Sequence, residues 1–327
     1  MKRNRRNGIK IAAAVAAYSC AAAVSVVHYL LQYAIGRSGD GGVRKVALNV
    51  DSVKGETERI QGLNCERQRK LTEAFTGRIR ERQAEIVSCD GLTLRGGYYE
   101  QKDSHLWAVI IHGYRSRHRS MLNFAQRYYD AGYQVLLPDL RACGESEGRF
   151  LGMGWLDRKD MLGWIDWILQ KDADAKIVLH GASMGGATVM MTSGEQTPDA
   201  VRAFVEDCGY TSAWDMFSSE LRLRFHLPEF PVLYLASGIA RLRAGYGLKT
   251  ASSLEQVKKC QKPMLFIHGT QDDFVPFEML DVLYQAKPGT KKQKLKAEGA
   301  GHGEAAKTLG DKYWESVFAF ITPYMTS

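Results

Sequence analysis

The chain has 327 residues and a formal net charge of +8 at pH 7. Lys2, Arg3, Arg5, Arg6, Lys10, Arg37, Arg44 and Lys45 supply nearly all of that excess, so the rest is close to neutral and the charge gives no ground for a nucleic-acid partner. Six cysteines with neither C-x-x-C nor Cys/His ligand spacing imply no metal site, and no cofactor is expected.

Residues 1–10 form a basic tail. From Ile11 to Ile35 no charged residue occurs, and a helix of that length spans about 37 Å, enough to cross a hydrocarbon core of about 30 Å. A cleaved signal peptide ending near Ala21-Ala22-Ala23 is the rival, but its apolar region ends after about 7 to 15 residues and this one runs on. We therefore expect an uncleaved anchor over residues 11–35. Basic residues before the run place the N-terminus in the cytoplasm and the remainder outside the cell membrane. Five cysteines outside the run, an odd number, argue against a disulfide framework.

Residues 36–83 read as a connector, with Ser38 to Gly42 flexible and Glu56 to Gln83 charged at helical spacing. A chain beginning near residue 37 should then be soluble and keep its activity. Residues 84–327 suffice for one large core. Cys89 to Leu92 is a turn between strand-like runs at Glu85 to Ser88 and Leu92 to Glu100. Apolar runs follow at Ala108 to Ile111, Gln134 to Leu137, Lys176 to His180, Val201 to Val205, Met264 to Ile267 and Gln293 to Leu295. Helical patterns alternate with them, including the stripe Met161, Leu162, Ile165, Ile168 and Leu169, so the fold class is α/β with a mostly parallel sheet covered on both faces.

Two G-x-S-x-G matches occur. The first, Gly144 to Gly148, sits in a loop with a glutamate on each side of Ser146 and no helix start behind it. The second joins a β-branched run, Ile177-Val178, to a helix-compatible segment through Gly181-Ala182-Ser183-Met184-Gly185. Strand, sharp turn and helix with a serine at the apex are the context a nucleophile needs, because only small residues fit two positions before and after it. Ser183 is therefore the candidate nucleophile. Between Cys208 and Lys259 lies an insert rich in Trp214, Met216, Phe217, Phe225, Phe230, Leu233, Tyr234 and Leu235, read as a small helical cap over about residues 209–258. It offers an apolar pocket for an acyl or aromatic group, or simply packs onto the sheet.

A serine nucleophile needs a base, an orienting carboxylate and preorganised N–H donors. His28 lies in the apolar run, His105 and His118 lie away from strand ends, and His226 is in the insert. His180 precedes the serine turn, while His112 and His268 each sit in a strand-ending His-Gly. His302, on the small-residue loop Gly299 to Gly303 after the last strand, is the base this leaves. Asp272, Asp273 and Asp207 all follow strands and are candidates for the acid. The oxyanion donors are expected to be the backbone N–H groups of Met184 and Tyr114.

IIHGY (Ile110 to Tyr114), PDLRACGESEG (Pro138 to Gly148), GASMGG (Gly181 to Gly186), EDCGYTS (Glu206 to Ser212), HGTQDDFVP (His268 to Pro276) and GAGHG (Gly299 to Gly303) occur in that order. With these motifs residues 84–327 resemble the α/β-hydrolase superfamily, in particular bacterial serine aminopeptidase-like and dienelactone hydrolase-like enzymes. The resemblance implies an α/β-hydrolase fold and places the acid at Asp272, with Asp273 in a variable position. Ala142-Cys143 departs from the Gly-His that relatives usually carry there. The activity implied is a membrane-anchored serine hydrolase acting on small-molecule carboxylic esters through an acyl-enzyme. A peptidase or amidase with the same residues is the alternative. A non-catalytic binding protein is the other class, against which the joint presence of Ser183, Asp272 and His302 argues.

Overall fold

A computed structural model describes residues 25, 28–29, 31–32, 34–37 and 55–326. The first long element is α1 (Glu56–Arg78), followed by β1 (Arg82–Val87), β2 (Thr93–Tyr99), β3 (Leu106–Ile111), α2 (Leu122–Asp130), β4 (Gln134–Pro138), α3 (Asp157–Lys171) and β5 (Lys176–Ala182). The second half contains α4 (Met184–Ser193), β6 (Val201–Asp207), α5 (Ala213–Phe225), α6 (Val232–Ala244), α7 (Ser253–Val257), β7 (Met264–Gly269), α8 (Glu278–Ala286), β8 (Lys292–Ala297), α9 (Ala305–Leu309) and α10 (Asp311–Met325).

One eight-stranded sheet runs in the order β1-β2-β4-β3-β5-β6-β7-β8. Only β2 opposes its neighbours; β4, β3, β5, β6, β7 and β8 pair in parallel. The alternation of side chains along a strand divides the core in two. Trp107, Val109 and Ile111 of β3 enter the layer beneath α3 and α4, while Ala108 and Ile110 enter the one beneath α2 and α10. Phe204 of β6 and Phe266 of β7 join the first layer, and Val205 and Leu265 the second. Strands apolar on both faces are the reason the sheet is covered by helices on both sides.

The expected connector helix ends earlier than its charge pattern suggested. Ile79 adopts extended backbone, and β1 begins at Arg82 because Arg82 to Val87 pair residue by residue with Tyr98 to Thr93. The helix α1 packs against α9 and α2 and buries Phe75 against Tyr99, ring centroids 4.8 Å apart. Of the five cysteines outside the apolar run, Cys143, Cys208 and Cys260 are buried and Cys65 and Cys89 exposed, all as free thiols.

Most of the expected anchor lies outside the described residues, and among these no helix is long and apolar enough to cross a membrane. The end of the run is part of the domain. Leu31 is 3% and Ile35 0% exposed, both in the first core layer. Leu151 N–H donates to Ile35 O at 2.8 Å, Arg37 N–H to Arg149 O at 2.9 Å, and Gly36 bridges Phe150. A chain beginning near residue 37 therefore lacks a piece of its own core and should be less stable than the full chain, which weighs against the expectation that it is soluble and active. Ile35→Ala should cost about 2–5 kcal/mol. The check is the urea midpoint of the full-length protein in detergent, where an unchanged midpoint would contradict this packing.

The cap consists of α5 and α6, inserted between β6 and β7. Ser212 and Ser252 cap α5 and α7 by accepting the N–H of Asp215 and Glu255, and they bridge one another across the base of the insert.

Candidate active site

Ser183 lies between β5 and α4 with φ 58° and ψ −120°, a left-handed backbone that side chains rarely adopt. Glycines make this turn sterically possible. A Cβ at Gly181 would meet Gly185 O at 2.2 Å, and one at Gly185 would meet Ile111 O at 2.1 Å. Ser183 N–H is fixed by Asp207 O at 2.8 Å, so the hydroxyl is held above the carboxyl ends of the strands.

His302 stands in the loop after β8. Its Nδ1 lies 2.8 Å from Asp272 Oδ2 and its Nε2 2.8 Å from Ser183 Oγ. A carboxylate only accepts, so Nδ1 carries the proton and Nε2 is free to accept from the serine hydroxyl. Asp272 is buried and fully engaged. Its Oδ1 accepts the N–H groups of Phe274 and Val275 at 3.0 and 2.9 Å, while Oδ2 lies 3.2 Å from His268 Nε2. Burial alone would raise this carboxyl; the hydrogen bonds from His268 and His302 outweigh it and hold the group at about 2.

The other candidates are placed elsewhere. Asp273 is exposed. Asp207 Oδ2 accepts the Tyr313 hydroxyl at 2.8 Å, and burial raises this carboxyl to about 6. Its neighbour Glu206 is raised to about 8 by burial. Ser146 is buried and hydrogen-bonded to backbone groups: it accepts Arg95 N–H at 2.9 Å and donates to Asp139 O at 2.7 Å.

Two further histidines are fixed in place. His112 Nε2 accepts Leu140 N–H at 3.0 Å while Nδ1 donates to Gly113 O at 2.8 Å, and burial lowers its pKa. It thereby ties the loop carrying Tyr114 to the Pro138 to Gly148 loop. Gly113 lies against Ser183, since a Cβ there would come 3.4 Å from that of the serine. His180, lowered to about 3 by burial, sits between the hydroxyls of Tyr128 and Tyr313, each at 3.0 Å. Tyr313 donates to Asp207, so His180 Nε2 donates to Tyr313 and Nδ1 accepts from Tyr128.

Sequence reasoning took His268 as a strand-end residue and missed its contact with the acid. The available signal was its position four residues before Asp272 across one turn. It also missed Leu31 and Ala34, which line the cavity beside Ser183. That cavity of about 210 Å³ is walled by the cap through Met216, Phe217, Leu221 and Leu233. Glu220 also lines it, and Phe274 sets its ring 4.9 Å from that of His302. Cys208, Asp272 and His302 each bring one potential ligand atom within 4.8 Å of the others. Burial pushes the Cys208 thiol well up, and the other two groups are already hydrogen-bonded to each other, so the donor set suits a carboxylate–imidazole pair better than a cation.

The topology and the turn carrying Ser183 define an α/β-hydrolase fold of the serine hydrolase type. The chain belongs to the prolyl oligopeptidase family, whose model matches residues 120–327. It is similar to YqkD of Bacillus subtilis, 27% identical over 237 residues, which cover 72% of this chain and 77% of that one. Among solved structures, the Pyrococcus furiosus esterase Pf2001 superposes with a TM-score of 0.63 at 21% identity, over 79% of this chain and 95% of the other. An acylaminoacyl peptidase of Pyrococcus horikoshii gives 0.58 at 18% identity, covering 76% of this chain and 42% of the peptidase.

Proposed function

We propose that the protein is a membrane-anchored hydrolase of carboxylic esters, with Ser183 as nucleophile, His302 as base and Asp272 as the orienting acid. The observation that carries this reading is the hydrogen-bonded chain from Asp272 through His302 to Ser183 at the floor of an apolar pocket. Ser183 Oγ attacks the ester carbonyl carbon as its proton passes to His302 Nε2. Negative charge on the carbonyl oxygen is held by the N–H groups of Met184 and Tyr114. Collapse breaks the bond to the alcohol, which leaves with the proton from His302. Water then gives a proton to His302 and attacks the acyl-enzyme; release of the acid returns the proton to Ser183. Asp272 stays ionised throughout, which stabilises the imidazolium and keeps the proton on Nδ1.

Placement beside bacterial serine aminopeptidase-like and dienelactone hydrolase-like enzymes belongs to the same proposal and rests on the ordered motifs. The anchor rests on the part of the uncharged run that precedes Leu31, behind a basic tail, which also assigns the catalytic domain to the outer side of the cell membrane. One observation favours a peptidase instead: an acidic residue, Glu220, is among those lining the pocket, as an amine-bearing substrate would require.

Full-length protein should react with a fluorophosphonate probe. Across a series of linear esters its kcat/KM should rise about fourfold per added CH2 until the pocket is filled, the factor that burial of one methylene provides. Faster cleavage of aminoacyl amides than of every ester would replace this reading with the peptidase one.

A further inference from the structure

The cap helix α6 carries two apolar faces. Leu233, Ala236, Ala240 and Ala244 are buried against the domain. On the far side Leu235 and Leu242, seven residues apart, are exposed, Leu242 by 87%, while Ile239 between them is partly buried against the first core layer. A surface helix ordinarily needs only the first of these stripes. Phe230, 72% exposed, sets its ring edge-on 5.8 Å from that of Tyr234 on α6, and Leu223 and Leu227, at and beyond the end of α5, are exposed as well. Arg241 and Arg243 flank the stripe along the same helix.

The place where the apolar N-terminal run meets the domain identifies what covers this face. Arg243 donates to the His28 ring at 2.9 Å, and Tyr29, beside it, is 68% exposed. Leu31 and Ala34 then line the cavity together with Val232 and Ala236 of α6. The uncharged run thus joins the domain alongside α6, a helix of 13 residues and about 20 Å. The proposed anchor, the part of the run before His28, would hold a bilayer on the side of the domain where α6 lies. Apolar side chains with aromatic and arginine neighbours are the composition of a helix seated at a lipid–water interface. Phe225, half exposed on this side, also lines the cavity, so the cavity reaches the same face.

We propose that the outer face of the cap, centred on Leu235 and Leu242, docks on the surface of an anionic lipid bilayer, and that the cavity receives acyl esters of lipids directly from it. The substrate part of this proposal rests on the ester-hydrolase reading and the docking part on the proposed N-terminal anchor.

The test uses full-length protein reconstituted in vesicles containing phosphatidylglycerol. For docking, Leu242→Cys carries a bimane label in a chain with Cys20→Ser, Cys65→Ser and Cys89→Ser, and brominated lipids serve as quenchers. Strong quenching is expected; its absence overturns docking whatever the enzyme cleaves. For substrate delivery, Leu235→Glu combined with Leu242→Glu, and Leu242→Glu alone, are compared with the parent on a long-chain ester carried in the bilayer and on a dissolved butyrate ester. The double variant should lose about tenfold or more on the bilayer ester and nothing on butyrate, with the single variant in between. Equal loss on both esters, or none on either, overturns delivery from the bilayer. If light scattering instead shows a dimer that the double variant splits while bilayer-ester hydrolysis persists, the face binds a second copy and the proposal fails. Quenching in a parent that cleaves only aminoacyl amides would leave docking in place and remove the ester reading.

Discussion

Ser183→Ala should lower kcat for ester hydrolysis by about a millionfold and abolish fluorophosphonate labelling. The residual rate above water would come from the oxyanion donors and from substrate binding, which the substitution leaves in place. Ser146→Ala provides the control, because that serine stands in the same G-x-S-x-G pattern. It ties Arg95 to Asp139 within the core, so its loss should cost about 1 kcal/mol of stability and leave labelling and kcat nearly intact. Comparable loss of activity from both changes would undo the assignment of the nucleophile.

Asp272→Asn should reduce kcat by about 10⁴ with little change in KM. An amide can turn its NH2 group toward His302 Nδ1, which drives the proton to Nε2 and leaves no lone pair there for the serine proton. Substrate contacts in the apolar pocket are untouched, so binding should persist. Asp273→Asn, at an exposed position, should change kcat little. Asp207→Asn should act on stability through Tyr313, since no hydrogen bond links Asp207 to His302 among the described residues. If Asp207→Asn gave the larger loss of kcat, the acid would belong to β6. Because Asp272 is held at about 2, the acidic limb of a pH–rate profile should belong to another group, and its position should not follow the Asp272 carboxyl.

The turn around Ser183 was legible because its steric demands are local: Gly181 and Gly185 leave no room for a Cβ, and that requirement is written within five residues. The parallel sheet was legible too, since strands such as Ala108 to Ile111 are apolar on both faces. Choosing among Asp272, Asp273 and Asp207 was different. It depends on which way each side chain faces after the chain has turned, and only resemblance to known motifs pointed to Asp272. The contact of His268 with Asp272 was hidden for the same reason. Leu31 and Ile35 were obscure on another ground: an apolar helix carries the same residues whether lipid or protein covers it. Here protein covers these two, and the sequence had assigned both to the membrane.

The base of the cap has a consequence for how such a protein can diversify. Ala213 N–H donates to Ala251 O at 2.8 Å, Leu254 N–H donates to Thr211 O at 3.0 Å, and Ser212 bridges Ser252, so the inserted segment leaves and re-enters the sheet scaffold at one point. Its two ends are held together whatever lies between them. The entropic cost of lengthening such a closed excursion is small, about 0.6 kcal/mol for each doubling. Extending the segment between 213 and 251 at its exposed positions should therefore cost little and leave the strand ends that carry Ser183, Asp272 and His302 in place. Changes within the excursion and changes at those strand ends would then act on different parts of the chain.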